Sequence, residues 1–568
     1  MRPARVCTGR FSHSRMCTDT RLWREGKALV LSALLVLVPA TGTASWQQDF
    51  EVPVESVIDP LLAFDWPEIE RFYDALGEPY AWHRDGTPTP QAEELFAWLS
   101  AADREGLSPG EYHVALLRRL GPAVAKDRLL LRELLLTDGY LRLARYLRRG
   151  RFDPMQVDPL WRLPRETFDP VSPLVSALQQ GDLSGLLESL GPRAAAYARL
   201  RQALARYRAI HAAGGWRPLQ FDVSLRPGMR RREVTELRRR LAVEEGASVE
   251  IPGDAEYYDD RLRQVVREYQ GRVGLIQDGI VGKKTLHALN VPVEQRVAQL
   301  RAALERWRWL PHHLESEYLL INTAAFEIDL MEGDHSLFHK RTVNGREERQ
   351  TPSFRSQVTH LVINPEWTVP RSIAVRDLLP KQQDDSGFLS ARQFRVYRER
   401  GGAWFEVDAT SIEWSLYDTD YFPFILKQDA GSGNSLGRFK FYMPNRYDIY
   451  LHDTPARGLF ERSSRAFSSG CVRVEGAAQL ADLLLARAGS WERVQFNRAL
   501  QREETLTLGL VQPMPVYLAY FTSWVDEAGK IHFRPDLYLR DDRLLSALNG
   551  DPERLVVLGA LPREHDSF

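Results

Sequence analysis

The sequence predicts a multi-domain α+β protein, and three observations support this fold class. The chain of 568 residues is too long for a single hydrophobic core. Apolar residues recur at helical spacing through its first half, whereas alternating apolar and polar runs begin at Glu317. We therefore expect an all-helical N-terminal domain, a small helical domain and a β-rich C-terminal domain with a lid-like insertion.

Composition argues against a broadly charged surface. The chain has 75 basic and 76 acidic residues, and its formal net charge is −1. Such a balance gives no general attraction to nucleic acid or to anionic membranes. No nucleic-acid partner is predicted, and partners must be inferred from local features.

Residues 1–44 are predicted to be a signal peptide. Basic residues at 21, 24 and 27 precede the apolar run Ala28–Val38, which is followed by Pro39 and small residues. The apolar run is short for a membrane-spanning helix, so no stable membrane span is expected after cleavage. A retained anchor stays open as an alternative.

The first domain is predicted over residues 58–215 and is all-helical. Apolar residues recur there at intervals of three and four. The predicted helices are Trp66–Leu76, Pro90–Glu105, Gly110–Leu120, Leu129–Arg149 and Leu174–Leu190.

A small helical domain is predicted over residues 222–292, after the break at Gly214-Gly215. Its helices are expected at Arg232–Glu245 and Asp259–Val273, followed by a glycine-rich turn and a third helix, Lys283–Leu289. A linker region, 293–314, contains one further predicted helix, Val293–Arg308, which Pro311 ends.

The β-rich domain is predicted over residues 315–540. It begins with a hairpin after Glu317 and ends with a second hairpin in 515–538, whose turn is Asp526–Gly529. An insertion at about 375–425 contains charged helical and aromatic portions, and it could form a lid over a site or pack its aromatic residues in a core. Residues 541–568 are expected to form a C-terminal tail.

Cys471 is the candidate nucleophile of this domain. Cys7 and Cys17 lie in or before the expected signal, so Cys471 is the only cysteine of the predicted mature chain. An unpaired thiol is a liability in an oxidising compartment, which favours a catalytic role over that of a small buried side chain. Acyl transfer requires the thiolate, a base or positive environment, and donors for the oxyanion.

Residues near Cys471 could supply these groups. His452 ends a strand-like run upstream, and a fold could bring its imidazole to the sulfur. Gly470 allows the Ser469-Gly470-Cys471 turn to bend sharply, so that the Cys471 amide and a neighbouring amide could converge on an oxyanion. Apolar residues at helical spacing in 475–488 predict that Cys471 lies just before a helix N-terminus, whose dipole would favour the thiolate.

Three further residues are candidates for positioning. Tyr450 shares a strand face with His452 and could position His452 or the oxyanion, or simply pack against the strand. Arg473 could hold a substrate carboxylate or form an internal ion pair. Ser469 could orient His452 or only fit the turn.

These residues resemble the L,D-transpeptidases of bacterial cell-wall synthesis, specifically the YkuD-type catalytic domain in its large, multi-domain form. The signature runs through Tyr450–Pro455 and Ser468–Val474. Many members have a histidine where Ser469 stands, so no role of that second histidine is carried over. Supporting matches are Asn364–Pro370, Leu436–Lys440 and Val516–Tyr538.

The two helical regions resemble other parts of the same class. Asp278–Leu289 is similar to the turn of peptidoglycan-binding-like domains, with Thr285 in place. Phe72-Tyr73 and Gly106–Pro109 resemble its scaffold region. The resemblance therefore implies a helical scaffold domain, a peptidoglycan-binding-like domain and an L,D-transpeptidase catalytic domain, which together cover nearly all of residues 60–540.

The resemblance implies an activity in cell-wall biogenesis and cell shape. Cys471 would attack the L,D peptide bond of a peptidoglycan tetrapeptide stem, release the terminal D-amino acid and form a thioester. A diaminopimelate amine of a second stem would then resolve the thioester into a 3→3 cross-link, with His452 as acid and base. Donor and acceptor stems are the implied partners, other cell-wall synthases are candidates, and carbapenems would acylate Cys471. The implied location is the periplasm.

Several alternatives stay open at the level of sequence. An L,D-carboxypeptidase, or a transferase that attaches proteins or D-amino acids, would use the same thioester. A secreted cysteine protease and a non-catalytic peptidoglycan-binding scaffold are the other two. No cofactor and no metal site are predicted, because the chain lacks an HExxH motif and the doublet His312-His313 has no matching cluster.

Overall fold

The computed structural model describes residues 64–122, 126–245, 254–486 and 490–550. The expected signal peptide, residues 1–44, lies outside these ranges, as does most of the expected C-terminal tail. Among the helices in these ranges, none is both long enough and apolar enough to cross a membrane.

The N-terminal region is helical, as predicted, with one short two-stranded ribbon. Gly181 adopts φ 74° and ends a helix at Gln180, so two helices replace the single one expected over 174–190. The last helix of the region, Ala195–Ala212, was not among those predicted. The elements are α1 (Trp66–Leu76), β1 (His83–Arg84), β2 (Thr87–Pro88), α2 (Pro90–Ser100), α3 (Val114–Leu120), α4 (Lys126–Arg149), α5 (Pro154–Val157), α6 (Val171–Gln180), α7 (Leu183–Ser189) and α8 (Ala195–Ala212).

The small helical module follows the prediction closely. It contains α9 (Arg232–Glu245), α10 (Asp260–Arg272) and α11 (Lys283–Leu289), packed around their own apolar core. The side chain of Gln270 ties the glycine-rich turn to α10, because it donates to Asp278 Oδ1 at 2.8 Å and accepts from the Gly279 N–H at 2.8 Å.

Helix α12 (Val293–Arg308) is more than the connector that the sequence suggested. It is buried along most of its length, in a core shared by α8, α18 (Arg540–Leu548) and the β-rich domain. Its Arg306 and Arg308 are fully buried and are paired with Asp541 and Glu305. The N-terminal region and the β-rich domain therefore share one hydrophobic core.

A nine-stranded sheet forms the β-rich domain, in the order β13-β5-β14-β12-β11-β6-β15-β3-β4. Strand β5 also pairs with β4, which brings the two ends of the sheet together. Its apolar face packs on α16 (Ala477–Leu485) and α17 (Ser490–Arg502). The strands are β3 (Glu317–Asn322), β4 (Glu327–Glu332), β5 (His335–Gly345), β6 (Phe354–Ile363), β11 (Phe439–Tyr442), β12 (Leu451–His452), β13 (Ala466–Ser468), β14 (Val472–Val474) and β15 (Leu506–Ala519).

The insertion lies between β6 and β11 and has its own core. It forms a four-stranded sheet in the order β7-β10-β8-β9, where the sequence suggested helical and aromatic portions. Trp414 and Phe422 pack in this core, whereas Trp404 and Phe405 of the edge strand are exposed. The elements are β7 (Trp367–Thr368), α13 (Arg371–Ile373), a π-helical turn (Ala374–Leu378), α14 (Leu379–Asp384), α15 (Phe388–Ala391), β8 (Phe394–Arg400), β9 (Ala403–Val407) and β10 (Phe424–Gln428).

The C-terminal part differs in detail from the prediction. The expected hairpin is shorter, with β16 (Ser523–Val525) and β17 (Ile531–Phe533), because residues 515–519 belong to β15 of the large sheet. The residues after 540, where a tail was expected, begin with the docked helix α18.

Candidate active site

Cys471 lies in the turn between β13 and β14. Gly470 adopts φ 120°, a conformation that side chains other than hydrogen rarely allow. Three hydrogen bonds hold the turn: Gly470 N–H donates to Ser468 Oγ (3.1 Å), Ser468 Oγ donates to the Cys471 carbonyl (2.6 Å), and Thr351 Oγ1 donates to the Gly470 carbonyl (2.8 Å). The backbone around the thiol is therefore well defined.

The Cys471 side chain is partly exposed, and its surroundings shift the pKa of the thiol in opposite directions. Its Sγ donates to the carbonyl of Asp448 at 3.8 Å. Burial raises the pKa of the thiol, while the Tyr450 N–H and the charges of Lys440 and Arg473 lower it, and the net shift is upward. The resting group is therefore the neutral thiol, which needs a base when it attacks.

His452 lies on β12, which runs parallel to β14 and pairs His452 with Arg473. The ring is buried, and its Nδ1 lies 2.6 Å from the carbonyl of Asp453. Because a carbonyl only accepts, Nδ1 carries the proton and Nε2 is the nitrogen able to take another. Burial, followed by the charge of Arg473, lowers the pKa of His452 to about 3. No hydrogen bond joins this ring to Cys471 among the residues that the structure describes.

Tyr450 is brought beside both of these residues. The parallel register places it opposite Cys471, and the centre of its ring is 5.6 Å from that of His452. Burial and the adjacent Cys471 raise the pKa of its hydroxyl, which stays protonated and able to donate. Lys440 Nζ lies 4.1 Å from the centre of the Tyr450 ring and adds a positive charge to the site.

Two alternative roles were open for Arg473, and two for Ser469. The contacts of each side chain bear on the choice. Arg473 forms no ion pair in the described part of the chain, and its Nε is buried without a hydrogen-bond partner there. Ser469 forms no hydrogen bond with His452 within the described part of the chain. Its Oγ accepts from Arg346 (3.1 Å) and Arg349 (2.9 Å), two residues that follow β5. Because Arg473 has no ion pair within the described residues, its guanidinium is available for an external anion.

Two expectations about the turn were wrong. Cys471 is followed by the strand β14, and the next helix, α16, begins only at Ala477, so no helix dipole acts directly on the thiol. The Gly470 N–H is already occupied by Ser468 Oγ and cannot serve an oxyanion. The Cys471 N–H has no acceptor among the backbone hydrogen bonds of the described residues, so it is the free donor at this position.

Several residues around the site were not singled out from the sequence. Lys440 stood in a matched segment, but nothing in its local pattern indicated that it faces the thiol. Arg346, Arg349 and Asp377 come from segments far from Cys471 in the chain, and only the fold brings them together. Across the described ranges, no group of three or more histidine, cysteine or carboxylate side chains could hold a metal ion.

Comparisons with known families match three segments of the chain. Residues 67–204 match "Scaffold domain", residues 230–289 match "Putative peptidoglycan binding domain", and residues 316–495 match "L,D-transpeptidase catalytic domain" of the YkuD type. These matches confirm the predicted resemblance and the predicted order of helical and β-rich regions.

Individual proteins give the same assignment. A Haemophilus influenzae protein named "Putative L,D-transpeptidase" is 36% identical over 234 residues, which cover 41% of this chain and 46% of the relative. The chain therefore spans about half the length of this curated relative.

Two solved structures also match. An L,D-transpeptidase from Xylanimonas cellulosilytica is 16% identical with a TM-score of 0.18, covering 53% of this chain and 99% of that chain. Another, from Stackebrandtia nassauensis, is 11% identical with a TM-score of 0.21, covering 45% and 88%.

Proposed function

We propose that this chain, which contains a YkuD-type L,D-transpeptidase catalytic domain together with a scaffold domain and a peptidoglycan-binding domain, forms 3→3 cross-links between peptidoglycan stem peptides. One arrangement carries the proposal. The thiol of Cys471 lies in a hydrogen-bonded turn beside the strand that carries a buried neutral imidazole, His452, and the cationic side chains of Lys440 and Arg473 are nearby. This is a nucleophile with a base and a positive environment.

The first step is an attack of Cys471 on the L,D peptide bond of a donor tetrapeptide stem. Nε2 of His452 takes the thiol proton as the bond from sulfur to the carbonyl carbon forms. The Cys471 N–H and the Tyr450 hydroxyl are the donors available to the oxyanion. The carbon–nitrogen bond then breaks, His452 returns the proton to the leaving amine, and the D-amino acid departs from a thioester.

The second step resolves the thioester. The side-chain amine of a diaminopimelate in a neighbouring stem attacks the carbonyl carbon, and His452 accepts the amine proton. The carbon–sulfur bond breaks, and the proton restores the thiol. If water replaces the amine, the same site acts as an L,D-carboxypeptidase, so the acceptor decides the outcome.

The remaining parts of the proposal concern location and binding. The module at 230–289 supports attachment to peptidoglycan, and the expected signal peptide supports export to the periplasm. Both fit an enzyme whose substrate lies outside the cytoplasmic membrane.

The test is to incubate the full chain and its Cys471→Ala variant with disaccharide-tetrapeptides, and then to analyse the products by mass spectrometry. We expect dimers linked 3→3 with the wild type only. Tripeptides without dimers would replace the transpeptidase with a carboxypeptidase. Equal products from both proteins would contradict a role for Cys471 and would favour a non-catalytic scaffold.

A further inference from the structure

Two arginines beside the catalytic turn share one carboxylate. Arg349 Nη1 lies 2.5 Å from Asp377 Oδ2, whereas Arg346 Nη2 lies 3.3 Å from both Asp377 oxygens. Asp377 belongs to the π-helical turn of the insertion. Since a single carboxylate carries one negative charge and its shorter contact is to Arg349, the charge of Arg346 is only partly balanced.

Arg346 is also placed to meet a substrate. Its side chain is 38% exposed, compared with 20% for Arg349, and its Nη2 donates to Ser469 Oγ, two residues before the nucleophile. Its Nε is buried and has no hydrogen-bond partner in the described residues. Arg346 therefore keeps one unpaired buried donor and a positive charge that Asp377 only partly balances, beside the turn that holds Cys471.

Arg473 is the second positive group of the same region. Burial lowers the pKa of Arg473, and the positive charge of Arg346 lowers it further, so the two guanidiniums repel each other; only the thiolate form of Cys471 acts in the opposite direction. No carboxylate pairs with Arg473 within the described residues. Two guanidiniums that repel each other beside a neutral thiol form a site that an incoming anion would stabilise.

We propose that Arg346 and Arg473 together bind the carboxylate of the terminal D-amino acid that leaves when Cys471 attacks the donor stem. This inference rests on the proposed function. In a tetrapeptide stem that carboxylate is separated from the scissile nitrogen by a single α-carbon, so it must lie within side-chain reach of Cys471. The pair would make the site specific for a stem in which one residue with a free carboxylate follows the scissile bond.

The test compares two donors with the full chain. One is a disaccharide-tetrapeptide that ends in D-alanine, and the other is the same molecule with a C-terminal carboxamide. The readout is kcat/KM for formation of the acyl-enzyme, followed by intact mass. We expect the wild type to prefer the carboxylate by about ten- to a hundredfold, since charge-assisted hydrogen bonds are stronger than neutral ones.

Variants then show which residues cause the preference for the carboxylate donor. Arg346→Gln and Arg473→Gln should each reduce the ratio of carboxylate to carboxamide at least about fivefold. Arg71→Gln is the matched control, because Arg71 pairs with Glu68 and Asp169, and its loss leaves Asp377 shared between Arg346 and Arg349 as before. It should keep the wild-type ratio. Arg346→Lys should give an intermediate ratio, since it keeps the charge and loses the planar fork.

Three results would contradict the inference, and they differ in what they imply for the proposed function. A wild type that acylates both donors equally would overturn the inference without any variant, while leaving the proposed function in place. Equal losses on both donors in Arg346→Gln and Arg473→Gln would reduce the pair to positioning residues and also overturn it. A wild type that forms no acyl-enzyme with either donor would overturn the proposed function and the inference together.

Discussion

Cys471 and His452 are both uncharged at rest in this structure. Burial raises the pKa of the thiol and lowers the pKa of the imidazole to about 3. A preformed thiolate–imidazolium pair would require the opposite shifts. The structure therefore indicates that the proton moves during attack, as in general base catalysis.

The alkylation rate of Cys471 should report this state directly. Only the thiolate reacts with iodoacetamide, so the rate should rise about tenfold per pH unit from neutral pH to about pH 9. The measurement is the alkylation rate from intact mass, corrected with the Cys471→Ala variant for Cys7 and Cys17. A plateau already present at pH 7 would contradict a raised thiol pKa.

Replacement of His452 should separate its role as a base from its role in packing. His452→Gln should slow acylation of Cys471 by a carbapenem about 10²–10⁴-fold near neutral pH, because the thiol loses its proton acceptor. Iodoacetamide alkylation at high pH, where the thiolate forms without a base, should stay near the wild-type rate. The exposed His313→Gln is the matched control and should behave as wild type. Unchanged acylation in His452→Gln would refute the assignment.

At the scale of elements, the catalytic turn depends on the loop that follows β5. Thr351 holds the Gly470 carbonyl, and Arg346 and Arg349 hold Ser469. Through Asp377, the same arginines also hold the π-helical turn of the insertion. A single loop thus fixes both the nucleophile and one edge of the insertion.

Gly345 is the position at which this loop can be tested. A Cβ there would collide with the carbonyl oxygen of Arg349 and come within 2.8 Å of the Thr351 N, so the loop would have to move. Gly345→Ala should reduce the free energy of unfolding by about 1–3 kcal/mol, as overpacking typically does. It should also slow carbapenem acylation.

Urea unfolding followed by tryptophan fluorescence measures the stability change. Gly509→Ala is the matched control, since nothing lies within 4 Å of a Cβ at that position. Equal stability of the two variants would show that the loop tolerates displacement.

At the scale of the whole molecule, helix α12 joins the regions. Its apolar residues share a core with the N-terminal helix α8 and with β15 to β17 of the β-rich domain. Its buried arginines are paired with acidic groups, and Arg306 reaches Asp541 on α18. The catalytic sheet is therefore braced by elements that lie outside the matched catalytic segment.

Breaking the Arg306–Asp541 pair should destabilise the whole chain. Arg306→Ala leaves the buried carboxylate of Asp541 without a counterion. Such a change typically lowers the free energy of unfolding by about 3–5 kcal/mol. The measurement is the shift in urea unfolding. The matched control is Arg71→Ala. Arg71 is exposed and pairs with Glu68 and Asp169, so its replacement should lower the free energy of unfolding by less than about 1 kcal/mol. Similar shifts for the two variants would contradict a bracing role for α12.

Much of this architecture was predictable from sequence because it depends on local periodicity. The helices Trp66–Leu76, Arg232–Glu245, Lys283–Leu289 and Val293–Arg308 have the predicted bounds. Short elements were harder to predict. The three residues of β14 are too few to show an alternation, so no strand was predicted between Cys471 and the helical spacing at 475–488. In the insertion only β7 is as short as this, whereas β9 is exposed along most of its length and therefore shows no alternation.

The sequence is enough to predict the order of helical and β-rich regions, the family resemblance and the two central candidates, Cys471 and His452. These follow from residue types and spacings within short stretches of the chain. The protonation states of these residues and the groups that face them depend on how the chain folds. Burial sets the pKa values, and Arg346, Asp377 and Ser469 meet only because strand pairing joins distant segments. Local periodicity contains no information about such contacts, since it does not record which segments pack together.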